Sequence, residues 1–198
     1  RNRPFGMKKN YRRKYPEMRY MAYFQAFTNT YSTLDHLKSL YEEALDVEDV
    51  VGLVIGTRPD CIDDTLLDYL TQLARQTMVT LEYGIETAND DTLRLIRRGH
   101  DFQCVRDAGE RTKGRGIVIG GHVILGLPGE DAEESVRQAT IMSELGLDVL
   151  KIHQMQIIRG TRLAQMYAET PFHLYSPEEY SELIVRYLEH LSDDMVVE

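Results

Sequence analysis

Val79-Thr80-Leu81-Glu82-Tyr83-Gly84-Ile85-Glu86-Thr87 alternates with a period of two, so Leu81, Tyr83 and Ile85 share one side and Glu82, Gly84 and Glu86 the other. A strand can press its apolar side on helices, but two like charges two residues apart cannot enter a core without partners. The same split recurs outward from this stretch. Residues 50–57 (VVGLVIGT), carried on to Arg58, set Val51, Leu53 and Ile55 against Gly52, Val54, Gly56 and Arg58. Residues 117–126 set Val123 and Leu125 against His122 and Ile124, and residues 149–158 carry Lys151 and His153 on their polar side. With residues 20–27 these runs make five, starting at positions 20, 50, 79, 117 and 149.

Helical spacing fills every interval. Leu34, Leu37, Leu40, Tyr41, Ala44 and Leu45 form one apolar face, and Leu66, Leu67, Leu70, Leu73 and Ala74 the next. Ser32 or Thr33, Asp63 and Asp131 stand where helix N-caps belong, and Gly146 where a helix stops. Strand, helix, strand at this interval is the βαβ unit, which makes neighbouring strands parallel. A dinucleotide-binding doubly wound sheet would carry GxGxxG after its first strand, and none is present. Charged residues on one side of several strands instead want a lumen. The expected fold is α/β, a partial (β/α) TIM-type barrel of about five parallel strands over residues 21–160. A basic segment over 1–20 precedes it. Two helices follow in residues 161–198, the second with Tyr180, Leu183, Ile184, Tyr187, Leu188 and Leu191 on one stripe and an acidic tail after it.

The 198 residues carry a net charge of -9, unevenly distributed. Arg1, Arg3, Lys8, Lys9, Arg12, Arg13, Lys14 and Arg19 stand in the first twenty residues, leaving 15 of the 23 basic and 31 of the 32 acidic residues to the rest. That acidic body argues against a broad nucleic-acid surface; the arm is either a solvated face or a local phosphate contact. No apolar run approaches the roughly 20 residues of a membrane span, so no membrane partner is expected. Cys61 and Cys104 lie far apart without CxxC spacing, which excludes a cysteine-built metal site here and suits a reducing cytoplasm. The first residue is Arg, and the chain reads as a fragment.

Barrels of this kind place function at the C-terminal ends of their strands. The first end offers Thr28, Asn29 and Thr30, to cap a helix or to hold amino and carboxylate groups. The second offers Arg58, either a guanidinium for a carboxylate or phosphate or one half of a salt bridge to Glu86 or Asp60. At the third, Glu82 and Glu86 are acid–base groups or ribose ligands, and Arg97-Arg98-Gly99-His100 returns positive charge after one helix. The fourth, from His122 to Glu130, has Gly126 and Gly129 where backbone can approach a ligand. The fifth carries Lys151, His153 and Gln156; Lys151 suits a Schiff base if its pKa is depressed.

Together YFQAFTNTY, IGTRPDC, GIET followed by LIRRGH, HVILGLPGE and KIHQMQIIRGT resemble the radical S-adenosylmethionine superfamily, in the YhcC-like branch related to the Elongator catalytic subunit. The likeness spans about residues 21–167, with GTRPD and GLPGE its most specific pieces. It implies a [4Fe-4S] oxidoreductase-type enzyme that cleaves S-adenosylmethionine to a 5'-deoxyadenosyl radical. It also implies that Thr28, Asn29 and Thr30 hold the methionine amino group, Glu86 the ribose and Arg98 the methionine carboxylate, with Arg58 nearby. His122, Ile124 and Gly126 would flank the adenosine, and Lys151, His153 and Gln156 would face substrate. Gly56 stands where relatives often have an acidic ribose ligand. The substrate is left open; Elongator-like relatives act on tRNA, and the basic segment over Arg1 to Arg19 permits an RNA substrate. The family's Cys-x3-Cys-x2-Cys loop is missing from these residues, so metal ligands are expected to be absent and the chain alone inactive. Without the strand that bears that loop, the edge at residues 21–27 is expected to pair into a dimer. The competing readings are a cofactor-binding barrel without catalysis, and an unrelated (β/α) barrel lyase using Lys151 with Glu82 or Glu86.

Overall fold

The computed structural model describes residues 17–198. Most of the basic arm therefore lies outside the described residues. Six parallel strands form one sheet in chain order. They are β1 (Tyr20–Phe24), β2 (Val50–Thr57), β3 (Met78–Glu86), β4 (Val118–Leu125), β5 (Val149–Gln154) and β6 (Val196–Val197). Between them run α1 (Leu34–Leu45), α2 (Asp64–Ala74), α3 (Asp90–Leu95), α4 (Phe102–Thr112), α5 (Ala132–Glu144), α6 (Arg162–Glu169) and α7 (Pro177–Leu188). A doubly wound sheet reverses its strand order and covers both faces; unbroken sequential order with crossovers of one hand puts connecting helices on one face, and α1, α2, α4, α5 and α7 all contribute to the core there. The other face is left to curl around a lumen, as the charged positions require.

The apolar face behaves as the alternation dictates. Leu53, Ile55, Leu81, Tyr83, Ile85, Val123, Leu125 and Leu150 are buried against Leu37 and Tyr41 of α1, Leu66, Leu67 and Leu70 of α2, Val136, Ala139 and Met142 of α5, and Leu183 and Tyr187 of α7. Val51 departs from this pattern at 38% exposed: it sits at the start of β2, where little covers it. Leu40, assigned to the buried face of α1, is likewise 38% exposed. Asp63 and Asp131 accept from Leu66 N and Glu134 N as N-caps, whereas Thr33 holds the cap position of α1 without a side-chain bond. Gly146 ends α5 at φ 69°, where a glycine costs least.

Two features lie beyond the sequence pattern. The first strand stops at Phe24, because Ala26 and Phe27 take φ of 69° and 65° and turn the chain out of the sheet. The acidic tail holds the sixth strand: Val196 and Val197 pair with Val149 and Leu150, and Glu198 N donates to Leu150 O at 2.9 Å. Two valines after Asp193-Asp194 are too short a run for periodicity to register.

Candidate functional site

The C-terminal ends of β1 to β5 surround a cavity of about 550 Å³, lined by Tyr23 and residues 25–28 from the first strand end, Gly56, Thr57 and Arg58 from the second, Glu82, Gly84, Glu86 and Arg98 from the third, and His122 and His153. Of the inward positions of the sequence alternation, Gly56, Arg58, Glu82, Gly84, Glu86, His122 and His153 meet in this one place.

At its rim, Arg98 Nη2 donates to Gly84 O at 2.8 Å and meets Glu86 Oε1 at 3.1 Å. The approach depends on the absence of a side chain at Gly84, where a Cβ would stand 2.3 Å from Arg98 Nη2. Glu86 reaches that position because it leaves β3 at φ 67°, a left-handed conformation that costs a non-glycine residue about 1–3 kcal/mol. Strain of this kind persists where the surroundings impose it. Thr87, fully buried behind Glu86, places its hydroxyl 2.5 Å from Glu130 Oε1 and 3.0 Å from Gln138 Oε1, and Gln138 Oε1 also accepts from Ala88 N. Arg98 Nε is buried without a partner.

Deeper in the lumen, Glu82 is 5% exposed and central to a polar group. Tyr23 Oη donates to its carboxylate, His122 Nε2 lies 2.9 Å from Oε2, and Lys151 Nζ lies 3.5 Å from Oε1. His153 Nε2 continues the line, 3.2 Å from His122 Nδ1. Burial raises the Glu82 pKa, but the bonds from His122 and Tyr23 outweigh it and bring the carboxyl down to about 2. Glu82 is therefore an anion throughout the neutral range. Gly120 makes room for it, since a Cβ there would stand 2.9 Å from Glu82 Cγ.

Lys151 overturns the condition for a Schiff-base lyase. Burial lowers its pKa, but Glu198 at 2.9 Å and Glu82 outweigh that and hold it above its ordinary value. An ammonium fixed between two carboxylates and over the Tyr23 ring is not the free amine that a carbonyl needs.

The remaining expected site residues divide. Thr28 lines the cavity. Asn29 spends its amide on Phe24 O and Gly56 O (3.1 and 2.9 Å), and buried Thr30 bonds Thr57 and Cys61 O, so both tie strand ends together. Arg58 lines the cavity with its fork closed on Asp60, at 2.8 and 2.6 Å. Ile124 is half-buried and outside the cavity lining, and Gln156 is exposed and outside it as well. Gly126 belongs to a neighbouring cavity of about 180 Å³ with Leu125, Gln154, Met155, Ile157, Leu174 and Tyr175. Phe27 stands at the first strand end as expected, whereas residue type and spacing single out none of Tyr23, Gln25 and Ala26; the left-handed turn that brings residues 26 and 27 to the rim uses no glycine and leaves no signal.

Cys61 and Cys104 are half-buried thiols, each with its pKa raised first by burial and then by Asp60, and no group of three His, Cys, Asp or Glu able to hold a metal occurs among the described residues. No described helix is long and apolar enough to cross a membrane.

The Radical SAM superfamily pattern matches residues 10–138, and that of the Radical_SAM C-terminal domain matches residues 147–198. YtqA of Bacillus subtilis is 35% identical over 184 residues, covering 93% of this chain and 57% of its own length. Protein YhcC of Escherichia coli is 36% identical over 179 residues, covering 90% and 58%. The chain therefore spans a little over half the length of these relatives. The archaeal Methanocaldococcus infernus Elp3 with an N-terminal deletion superposes with a TM-score of 0.81 at 19% identity, over 96% of this chain and 50% of that one, which shows a shared fold. With both patterns matched and the lumen-facing sheet in place, the chain belongs to the radical SAM superfamily, whose members cleave S-adenosylmethionine to a radical.

Proposed function

We infer that this chain forms the S-adenosylmethionine-binding wall of a radical SAM enzyme. The observation that carries the reading is the Glu86–Arg98 pair across Gly84, at the strand ends of the large cavity. The residues present fit the cofactor on two counts: Gly84 lets the Arg98 guanidinium lie against the strand end beside Glu86, and Arg98 Nε there is buried and still lacks a partner. Arg98 would meet the methionine carboxylate, Glu86 the ribose diol, and Thr28 with the neighbouring carbonyls the amino group. His122 would flank the adenosine from within the cavity, with Ile124 on the same strand and the turn at Gly126 beyond the lining, and Arg58 would stay with Asp60 at the rim. Held by these residues in the whole enzyme, S-adenosylmethionine would supply radical chemistry, the removal of a hydrogen atom from substrate.

The residues do not fit a [4Fe-4S] cluster: two separate thiols cannot replace a cysteine loop. In this reading the cluster belongs to a part of the enzyme outside the 198 residues, and the chain alone binds the cofactor without cleaving it. RNA as substrate class is supported by the eight basic residues among positions 1–20. Among the described residues β1 has one neighbour, β2, and light scattering should find the isolated chain dimeric through that edge.

Equilibrium binding of S-adenosylmethionine tests the assignment. Glu86→Ala should weaken it by about 1–3 kcal/mol, roughly 5- to 150-fold. An unchanged dissociation constant would remove Glu86 from the site. Binding retained in a cysteine-free complete protein would favour the non-catalytic barrel.

A further inference from the structure

Glu82, being ionised, only accepts hydrogen bonds, so His122 must present Nε2–H to it at 2.9 Å. A neutral His122 then has a lone pair at Nδ1, and the atom facing it at 3.2 Å is Nε2 of His153, which must be the donor. The remaining nitrogen of His153, Nδ1, carries a lone pair and has no hydrogen-bond partner among the described residues, on a side chain that lines the cavity. The two rings lie 5.2 Å apart between centroids. One anion thus fixes the tautomers of two imidazoles in series.

We propose that Glu82, His122 and His153 form an acid–base relay whose lumen end, His153 Nδ1, takes a proton from a substrate with a weakly acidic hydroxyl, N–H or C–H beside a carbonyl. The proton leaves the substrate for Nδ1 of His153, and the substrate keeps the electron pair as its conjugate base. The proton on Nε2 of His153 crosses to Nδ1 of His122, and the positive charge comes to rest on His122, against the Glu82 carboxylate. His153 is the catalytic group; His122 and Glu82 are positioning residues. The environment suits a neutral base. His153 has its pKa lowered by burial first and by His122 next, with Lys151 acting the same way and Glu86 and Glu82 opposing. Of the other charged groups nearby, Lys151 is held by Glu198 and Glu82, Glu86 by Arg98, and Tyr23 bonds Glu82. The relay rests on these contacts and not on the cofactor assignment.

Two-bond proton–nitrogen NMR of the chain labelled with 15N-histidine tests it without any cofactor. At about pH 8, His122 should appear as the Nε2–H tautomer with an unprotonated Nδ1, and His153 with its proton on Nε2. Glu82→Gln, whose side-chain amide can donate as well as accept, should lower the share of the Nε2–H tautomer at both rings. A His122 ring protonated on Nδ1 at about pH 8 overturns the relay, and so do tautomers that Glu82→Gln leaves unmoved. The wild-type tautomers decide the matter even if Glu82→Gln does not fold. Loss of S-adenosylmethionine binding would refute the cofactor site and leave this result unaffected.

Discussion

Ile85 and Glu86 are adjacent on β3 and do opposite work. Ile85 is fully buried under the helices, its position defined by volume alone. Glu86 leaves the strand in a left-handed conformation, reaches Arg98, and depends on a missing Cβ two residues back. The helix side of the sheet is held by area and shape, the lumen side by particular atoms at particular places. Substitutions on the first side should therefore register in stability and on the second in binding and pH dependence. The largest effect expected is Ile85→Ala, which removes three buried carbons and should cost about 2–5 kcal/mol in urea unfolding. A loss below about 1 kcal/mol would show that the helix layer closes over the gap, and the contrast between faces would weaken.

Glu82 is the lumen residue closest to behaving like core, so it blurs the comparison most usefully. Its folded pKa of about 2 lies below the ordinary 4.5, so its contribution is complete above about pH 4.5 and is lost as pH falls toward 2. The amount is on the order of 3 kcal/mol. Unfolding followed from about pH 6 to pH 2.5 should lose about 2–3 kcal/mol more in the wild-type chain than in Glu82→Gln. Parallel curves for the two proteins would mean that His122 and Tyr23 do not hold the carboxylate in solution.

Gly84→Ala separates the faces more cleanly, since the new methyl would point at Arg98 rather than into the core. Arg98 should be displaced, weakening S-adenosylmethionine about tenfold with little change in stability. An unaltered dissociation constant would detach Arg98 from cofactor binding.

The helix-side face was the more legible one, for a physical reason. Burial repeats at fixed intervals, so Leu81, Tyr83 and Ile85 declare themselves by spacing, and the same spacing brought Glu82, Glu86, His122 and His153 to one cavity. Spacing says nothing of what a polar atom bonds. Asn29 and Thr30 carry the residue types of a binding loop, yet the Asn29 amide nitrogen and the Thr30 hydroxyl are spent on carbonyls and on Thr57 of the strand ends. Lys151 reads as a nucleophile until Glu198 is found beside it, brought there by a two-residue strand with no pattern of its own. Tyr23 lies on a strand that was recognised, but its bond to a carboxylate 59 residues away is a fact of register between strands. Ala26 and Phe27 turn at positive φ, and Phe27 ends 99% exposed at the rim. Nothing in those side chains marks the turn.

The smallest effect expected concerns the strain at Glu86 itself. Both Glu86→Ala and Glu86→Gly remove the carboxylate and should weaken S-adenosylmethionine alike. They differ in backbone only: alanine keeps the cost of φ 67°, whereas glycine adopts that angle freely. In an ordinary strand glycine would be the less stable of the two by roughly 0.5–1 kcal/mol. Here the order should invert, with Glu86→Gly the more stable by about 0.5–1 kcal/mol in chemical unfolding. If alanine proves the more stable, the left-handed turn is not imposed by the fold. Glu86 would then be a strand residue like Ile85, and the two faces would differ in chemistry without differing in strain.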